Sequence, residues 1–145
     1  MVRYYSDDGV HDVPREKLWK LIEAHSDTNI SKIHPDFVSM RTIEEHGGSV
    51  TKEIQIRGPD GKVSPMRMRF TVKPPHNQTL EILSGPYAGS WSSNTYIPEG
   101  NRTRIVTSAE WKVQGVTDEA TALKHANDFH DGGFEADAAY LKTMR

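Results

Sequence analysis

The sequence contains no cysteine, which excludes disulfide bonds, thiolate nucleophiles and zinc sites built on cysteine. Such a composition is typical of proteins that stay in the reducing cytoplasm. The first eight residues lack the apolar run of a signal peptide. No stretch approaches the roughly 18 apolar residues that a membrane helix requires. We therefore expect a cytoplasmic protein without a membrane span.

A strong excess of charge of either sign is also lacking, since the formal net charge is −2. Domains that bind nucleic acid usually carry a basic patch. The one basic run here, Arg67, Arg69 and Lys73, alternates with apolar residues and predicts the solvent-facing side of a strand. We expect no nucleic-acid partner. The length of 145 residues suits a single domain over residues 1–145.

Two short helices are predicted near the N-terminus. Pro14 suits the first turn of a helix, where its missing N–H costs nothing. Apolar residues follow at helical spacing: Leu18, Leu21 and Ile22. A second helix is predicted from Asp27 to Ile33 and ends before Pro35.

From Phe37 onward the apolar period changes from about 3.6 to 2. The clearest example is Met66, Met68, Phe70 and Val72, which alternate with Arg67, Arg69, Thr71 and Lys73. The pattern recurs over residues 50–57, 80–82, 87–97 and 105–113. Turn signals such as Gly58-Pro59-Asp60-Gly61 separate these runs. The pattern predicts an antiparallel meander with one wet and one covered face.

The segment from Asp118 to Arg145 is predicted to be one long helix, with Asp118 or Thr117 as its cap. Its apolar residues form one broad face: Ala120, Leu123, Ala126, Phe134, Ala138, Leu141 and Met144. A helix of this length must lie across the sheet to bury that face. Gly132-Gly133 interrupts it, which indicates either a kink or a close contact with the sheet.

This order of elements resembles the START-like superfamily, also called SRPBCC or helix-grip. Residues 13–22, with Pro14 at the start and Trp19 inside, resemble its first helix. Residues 33–38, Ile-His-Pro-Asp-Phe-Val, are similar to the helix-to-strand junction of its polyketide cyclase/dehydrase-like branch. Gly85-Pro86-Tyr87 with Trp91, and Ala109-Glu110-Trp111, resemble its middle and last strands.

The resemblance implies an α+β fold in which a curved antiparallel sheet of about seven strands wraps a long C-terminal helix around a cavity. Relatives use such a cavity for apolar molecules. The candidate ligand-binding residues are the aromatic and thioether side chains predicted to face inward, together with two residues of the helix: Met66, Met68, Phe70, Tyr87, Trp91, Trp111, His130 and Phe134. Ordinary core packing would also explain most of this set.

His130 and Asp137 are the candidate catalytic residues. They are seven positions apart, so a helix places them about 20° from each other on the apolar face. Ionisable groups there are costly unless they are partnered or line a wet cavity. The pair is therefore predicted either to bind a polar group or move a proton in the cavity, or to bond to the sheet.

No metal or cofactor is expected. His125 and His130 are five apart, about 140° around a helix, and no local ligand motif is present. His34 is predicted at the cavity mouth or on the surface, and His25, His46 and His76 on the surface. No histidine is predicted beside Ser90, Ser92 and Ser93.

Three functions remain open from the sequence. The first is binding or carriage of a small, mainly apolar molecule. The second is a cyclase/dehydratase-type enzyme with His130 as acid or base and Asp137 orienting it. The third is a co-chaperone-like interaction module that uses its surface. Pairing of two copies through a sheet edge is left open as well.

Overall fold

The computed structural model describes residues 2–58 and 60–144. Its strands and helices follow the predicted order: β1 Val2–His11, α1 Arg15–Glu23, α2 Ile30–Ile33, β2 Phe37–His46, β3 Ser49–Arg57, β4 Val63–Lys73, β5 Asn77–Ser84, β6 Trp91–Glu99, β7 Arg102–Trp111 and α3 Glu119–Leu141. The strands form one antiparallel sheet in the order β1-β7-β6-β5-β4-β3-β2. The predicted helix-grip arrangement is confirmed. Pro59 of the predicted turn lies outside the described residues.

The alternation in the sequence determines which residues face α3. Pairing places Tyr4, Ala109, Ser92, Leu80 and Phe70 in one row across five strands. Side chains of one row share a face of the sheet. Because Tyr4 stacks on His130 of α3, this is the inner face.

Helix α1 begins at Arg15, and Pro14 is its N-cap. The proline was predicted inside the first helical turn and instead lies just before it. Helix α2 is shorter than predicted, since Asp27 is not helical. The carboxylate of Asp27 instead accepts hydrogen bonds from the Thr42 amide at 2.8 Å and the Lys52 ammonium at 2.8 Å. These bonds hold the α1–α2 loop against β2 and β3.

Helix α3 is capped by Asp118, whose carboxylate accepts a hydrogen bond from the Thr121 amide at 2.9 Å. It ends at Leu141, earlier than predicted, and Arg145 lies outside the described residues. Its buried face is Ala122, Ala126, His130 and Leu141. Leu123 was predicted on this face but is 38% exposed. None of the helices in the described ranges is long and apolar enough to cross a membrane.

Gly132 and Gly133 neither end α3 nor touch the sheet. The helix runs through both residues, and a Cβ added to either would meet nothing within 4 Å. A close contact with the sheet is therefore not the reason for glycine at these positions.

The core consists of two apolar clusters. The first joins the inner face of β1, β7 and β2 to β5 to the first half of α3, around Ile54, Met66 and Trp111. The second lies under α1 and the end of α3, around Leu18 and Leu141. Polar side chains of the inner face lie near both clusters. These polar side chains form the candidate site.

Candidate functional site

Four polar side chains cross the inner face in one line, which we call the polar row: Asp8, Thr107, Asn94 and Gln78. Thr107 pairs with Asn94, and Asn94 pairs with Gln78. A β-bulge between Asp7 and Gly9 brings Asp8 into line with them. The Thr107 hydroxyl donates to Asp8 Oδ2 and lies 2.7 Å from Asn94 Oδ1.

Three buried polar atoms on or beside the inner face have no hydrogen-bond partner among the described residues: Asp8 Oδ1, His11 Nε2 and Trp111 Nε1. Burying a polar group without a partner costs about 1–3 kcal/mol. Such groups are normally satisfied by protein, water or ligand. Two of them belong to β1: Asp8 in the polar row, and His11 three residues farther along the strand, where it pairs with Thr103.

His11 stacks on Phe134 of α3 with ring centroids 4.1 Å apart. Burial lowers the pKa of His11, and the charge of Asp137 opposes this only in part. The imidazole is therefore neutral near pH 7 and offers one donor and one acceptor. Phe134, a predicted ligand-binding residue, thus lies beside an unpartnered polar atom.

Four apolar side chains of the inner face, on β3, β4 and β5, are only half-buried. They are Val50, Phe70, Val72 and Leu80. Phe70 and Leu80 pack against the first core cluster. Together with the polar row, these side chains form an apolar surface with a polar edge.

Met66, Met68 and Trp111 differ from this set, since each is at most 1% exposed. The methionines were predicted to line a cavity but are packed core residues instead. Trp111 also packs, apart from its unpartnered Nε1. Trp111 also lines a cleft of about 270 Å³ where β7 ends and α3 begins. A more open cleft of about 540 Å³ lies beside Pro65 and Pro86.

Tyr87 and Trp91 are not placed as predicted. Tyr87 lies in the β5–β6 loop, although its ring still packs 5.3 Å from that of Trp111. Trp91 pairs with Glu81 and Glu110, so it lies on the outer face and cannot contact a ligand inside. The loop between Gly85 and Gly89, both with positive φ, separates Tyr87 from the strand and resets the alternation.

His130 is buried and held by two hydrogen bonds. Its Nδ1 lies 2.7 Å from the Ala126 carbonyl and its Nε2 lies 3.1 Å from Ser92 Oγ. Because the carbonyl can only accept, Nδ1 carries the hydrogen and Nε2 accepts from Ser92. Burial lowers the pKa of His130, against the Ala126 bond and the charges of Asp8 and Asp131. The structure therefore brings a neutral histidine to a serine, which the sequence did not predict.

Asp137 does not contact His130, so it cannot orient that imidazole as the sequence suggested. Seven residues separate them by about 10 Å along the helix axis. Asp137 Oδ1 instead lies 3.2 Å from His25 Nε2 and 3.0 Å from His34 Nε2. Hydrogen bonds and charge from these histidines outweigh burial and lower the pKa of Asp137 to about 2.

His25, His34 and Asp137 form a compact group, which we call the histidine–aspartate cluster. The Nε2 atoms of His25 and His34 lie 3.0 Å apart. Burial lowers the pKa of His25, but bonding to Asp137 outweighs it and the net pKa is raised. His25 is therefore not the surface residue predicted. All three ligand atoms lie within 4.8 Å of one another, close enough to hold one metal ion.

No family model and no curated protein matches the sequence. Solved structures are similar in fold. Ara h 8.0201 is 16% identical, with a TM-score of 0.76 over 98% of both chains. The ZhuI aromatase/cyclase from Streptomyces sp. R1128 is 11% identical, with a TM-score of 0.74 over 97% of this chain and 92% of its own. A conserved protein from Geobacillus kaustophilus is 14% identical, with a TM-score of 0.75 over 98% and 96%. The chain therefore has the helix-grip fold that these structures share.

Proposed function

We propose that this protein binds a small, mainly apolar molecule that carries a hydrogen-bond donor, with the donor against Asp8. The observation that supports this is the buried, unpartnered Asp8 Oδ1 in the polar row. A ligand hydroxyl or N–H at this atom would remove the cost of leaving it unpaired.

Other side chains of the inner face suit the rest of such a ligand. Half-buried Phe70 and Leu80 offer apolar surface beside the polar row. Phe134 offers an aromatic ring from α3, and His11 Nε2 offers a second polar contact. A flat aromatic molecule with one or two polar substituents fits this combination best.

The test compares two probes that differ in one hydrogen-bond donor, 2-naphthol and 2-methoxynaphthalene. Calorimetric titration measures the dissociation constant of each. A hydrogen bond to a charged group contributes about 1.5–3 kcal/mol, so we expect 2-naphthol to bind at least about tenfold more tightly. Asp8→Asn replaces the acceptor with an amide and should reduce this preference.

Two further variants make the test independent of the Asp8 substitution. Leu80→Trp fills the half-buried surface and should weaken both probes. Trp91→Phe changes the outer face only and should leave both dissociation constants unchanged. Equal binding of the two probes to the unsubstituted protein, or unchanged binding to Leu80→Trp, contradicts the proposal.

A second candidate is an enzyme that removes a proton next to a carbonyl, as a cyclase or dehydratase does, with His130 as the base. The observation in its favour is the Nδ1 bond to the Ala126 carbonyl, which puts the Nε2 lone pair toward the inner face. In the free protein Nε2 accepts from Ser92 Oγ, so a substrate would have to displace that bond before Nε2 could take a proton. One protein of similar fold is an aromatase/cyclase. In this version Asp137 has no part, because it contacts His25 and His34.

This candidate is tested by hydrogen exchange at the carbon next to the carbonyl of 1-tetralone. Proton NMR in deuterated water follows the exchange. The protein should accelerate it, His130→Gln should abolish the acceleration, and Ser93→Ala should not. Ser93 suits as the control because it bonds to Asn77 on the outer face. No acceleration by the unsubstituted protein rejects the candidate.

The co-chaperone-like alternative has less support. The exposed large apolar side chains are spread over seven elements, with at most two on any one of them: Tyr5, Val38, Ile43, Val63, Leu83, Ile97, Val106 and Leu123. Interaction surfaces are usually contiguous.

The cytoplasm remains the compartment that we propose for this protein, because its sequence contains no cysteine.

A further inference from the structure

We infer that the histidine–aspartate cluster is a binding site for a divalent first-row transition-metal ion, with His25 Nε2, His34 Nε2 and Asp137 Oδ1 as its ligands. The inference goes beyond the binding function proposed above and does not depend on it. Two imidazoles and one carboxylate form a donor set that such ions accept readily.

The distances between the three atoms are those of coordinated ligands. They are 3.0, 3.0 and 3.2 Å. Three points so spaced lie on a circle about 1.8 Å in radius, so an ion with bonds of about 2.1 Å would sit about 1.1 Å above their plane. The angles at the ion would be about 90–100°, with one side left open for water.

The hydrogen bonds of His25 determine which ring atom a metal ion would bind. His25 Nδ1 lies 2.7 Å from the Leu21 carbonyl, so a hydrogen stays on Nδ1 and Nε2 is the ring atom that a metal ion would bind. In the metal-free cluster a proton on His25 Nε2 makes the 3.2 Å bond to Asp137 Oδ1, and a metal ion would replace that proton.

Three separate elements are held in place to form the site. His25 follows α1, His34 ends α2, and Asp137 belongs to α3. The Asn29 side-chain amide donates to the Ala24 carbonyl at 3.0 Å and to the Tyr140 hydroxyl at 3.1 Å, which ties the end of α1 to α3. The ligands are 17–24% exposed, so an ion can reach them from solvent.

The test titrates the metal-free protein with Zn²⁺, and in parallel with Co²⁺. Calorimetry should give one ion per chain, and Co²⁺ should develop the visible absorption of a low-symmetry nitrogen–oxygen site. Loss of a supporting residue typically weakens metal binding about 10–100-fold, so removal of a ligand by Asp137→Asn should weaken it at least as much. His46→Gln should have no effect, since this histidine is 85% exposed and lies outside the cluster.

A second measurement uses the unsubstituted protein, so its result does not depend on whether the variants fold. Nitrogen-15 NMR distinguishes the seven histidines. Zinc should shift the Nε2 resonances of His25 and His34 and leave the other five in place. The inference is overturned if the protein binds neither ion at millimolar concentration, or if Asp137→Asn binds Zn²⁺ as tightly as the unsubstituted protein. It is equally overturned if other histidines shift instead.

Discussion

At the scale of single residues, neighbours distant in sequence decide what each side chain does. His130 and Asp137 share a helix face, as predicted from their spacing. Their chemistry nevertheless differs because one meets Ser92 and the other meets two histidines. The phase of a helix can be deduced from its sequence, but the partners across the interior cannot.

The buried His130 should make stability depend on pH. Burial lowers its pKa below the ordinary value of about 6.5, so the unfolded chain binds a proton first. Its contribution to stability is therefore complete above pH 6.5 and is lost as the pH falls through the lowered pKa. The facing charged groups, Asp8 on β1 and Asp131 on α3, oppose the shift without reversing it.

We expect the free energy of unfolding to fall more steeply between pH 7.5 and pH 5 in the unsubstituted protein than in His130→Gln. Urea unfolding at several pH values, with metal chelator present, measures both slopes. The difference between the slopes isolates His130 from the other histidines. Equal slopes would mean that the buried imidazole does not titrate differently in the folded and unfolded chains.

At the scale of elements, the sequence predicted most of the fold and little of the site. Strand β4 and helix α3 were found because alternation and helical spacing persist over many residues. Trp91 was misplaced because a loop resets the alternation just before it. The polar row was missed because Asp8 reaches the row through a bulge, and the histidine–aspartate cluster because its members are 9 and 103 positions apart and share no local motif.

The two glycines inside α3 give a prediction at this scale. A glycine in a helix interior costs up to about 1 kcal/mol relative to alanine, and neither Cβ would meet another atom. Gly132→Ala should therefore raise the free energy of unfolding by about 0.5–1 kcal/mol. Urea unfolding measures it.

Gly9→Ala is the contrasting variant. Gly9 has a φ of +119°, and its Cβ would lie 3.2 Å from the Phe134 ring, so this substitution should destabilise the protein. A destabilising effect of Gly132→Ala would indicate that the helix bends there in solution.

At the scale of the whole molecule, the sheet ends in two edge strands, β1 and β2. Both carry bulges, β1 after Asp7 and β2 after Phe37 and Thr42. The second half of β2 adds exposed Glu44 and Glu45. Bulges and charges are the devices that prevent edge strands from pairing with other chains.

We therefore expect one chain in solution rather than the pair that the sequence left open. Light scattering coupled to gel filtration should give a mass near 16.4 kDa. The value should not change between low and high protein concentration. A mass twice as large would show that the bulged edges do not block pairing.

The pairing of β1 with β7 also has a consequence for how the chain acquires its structure. Strands β2 to β7 each pair with the strand next along the chain, whereas Val2 pairs with Trp111 and His11 with Thr103. Closing so large a loop carries an entropic cost that local hairpins avoid. During synthesis on the ribosome, β2 to β7 can pair one hairpin at a time, while β1 has no partner until β7 has been made. Asp8 and His11 therefore reach their native positions late in folding, after β7 has been synthesised and β1 has paired with it.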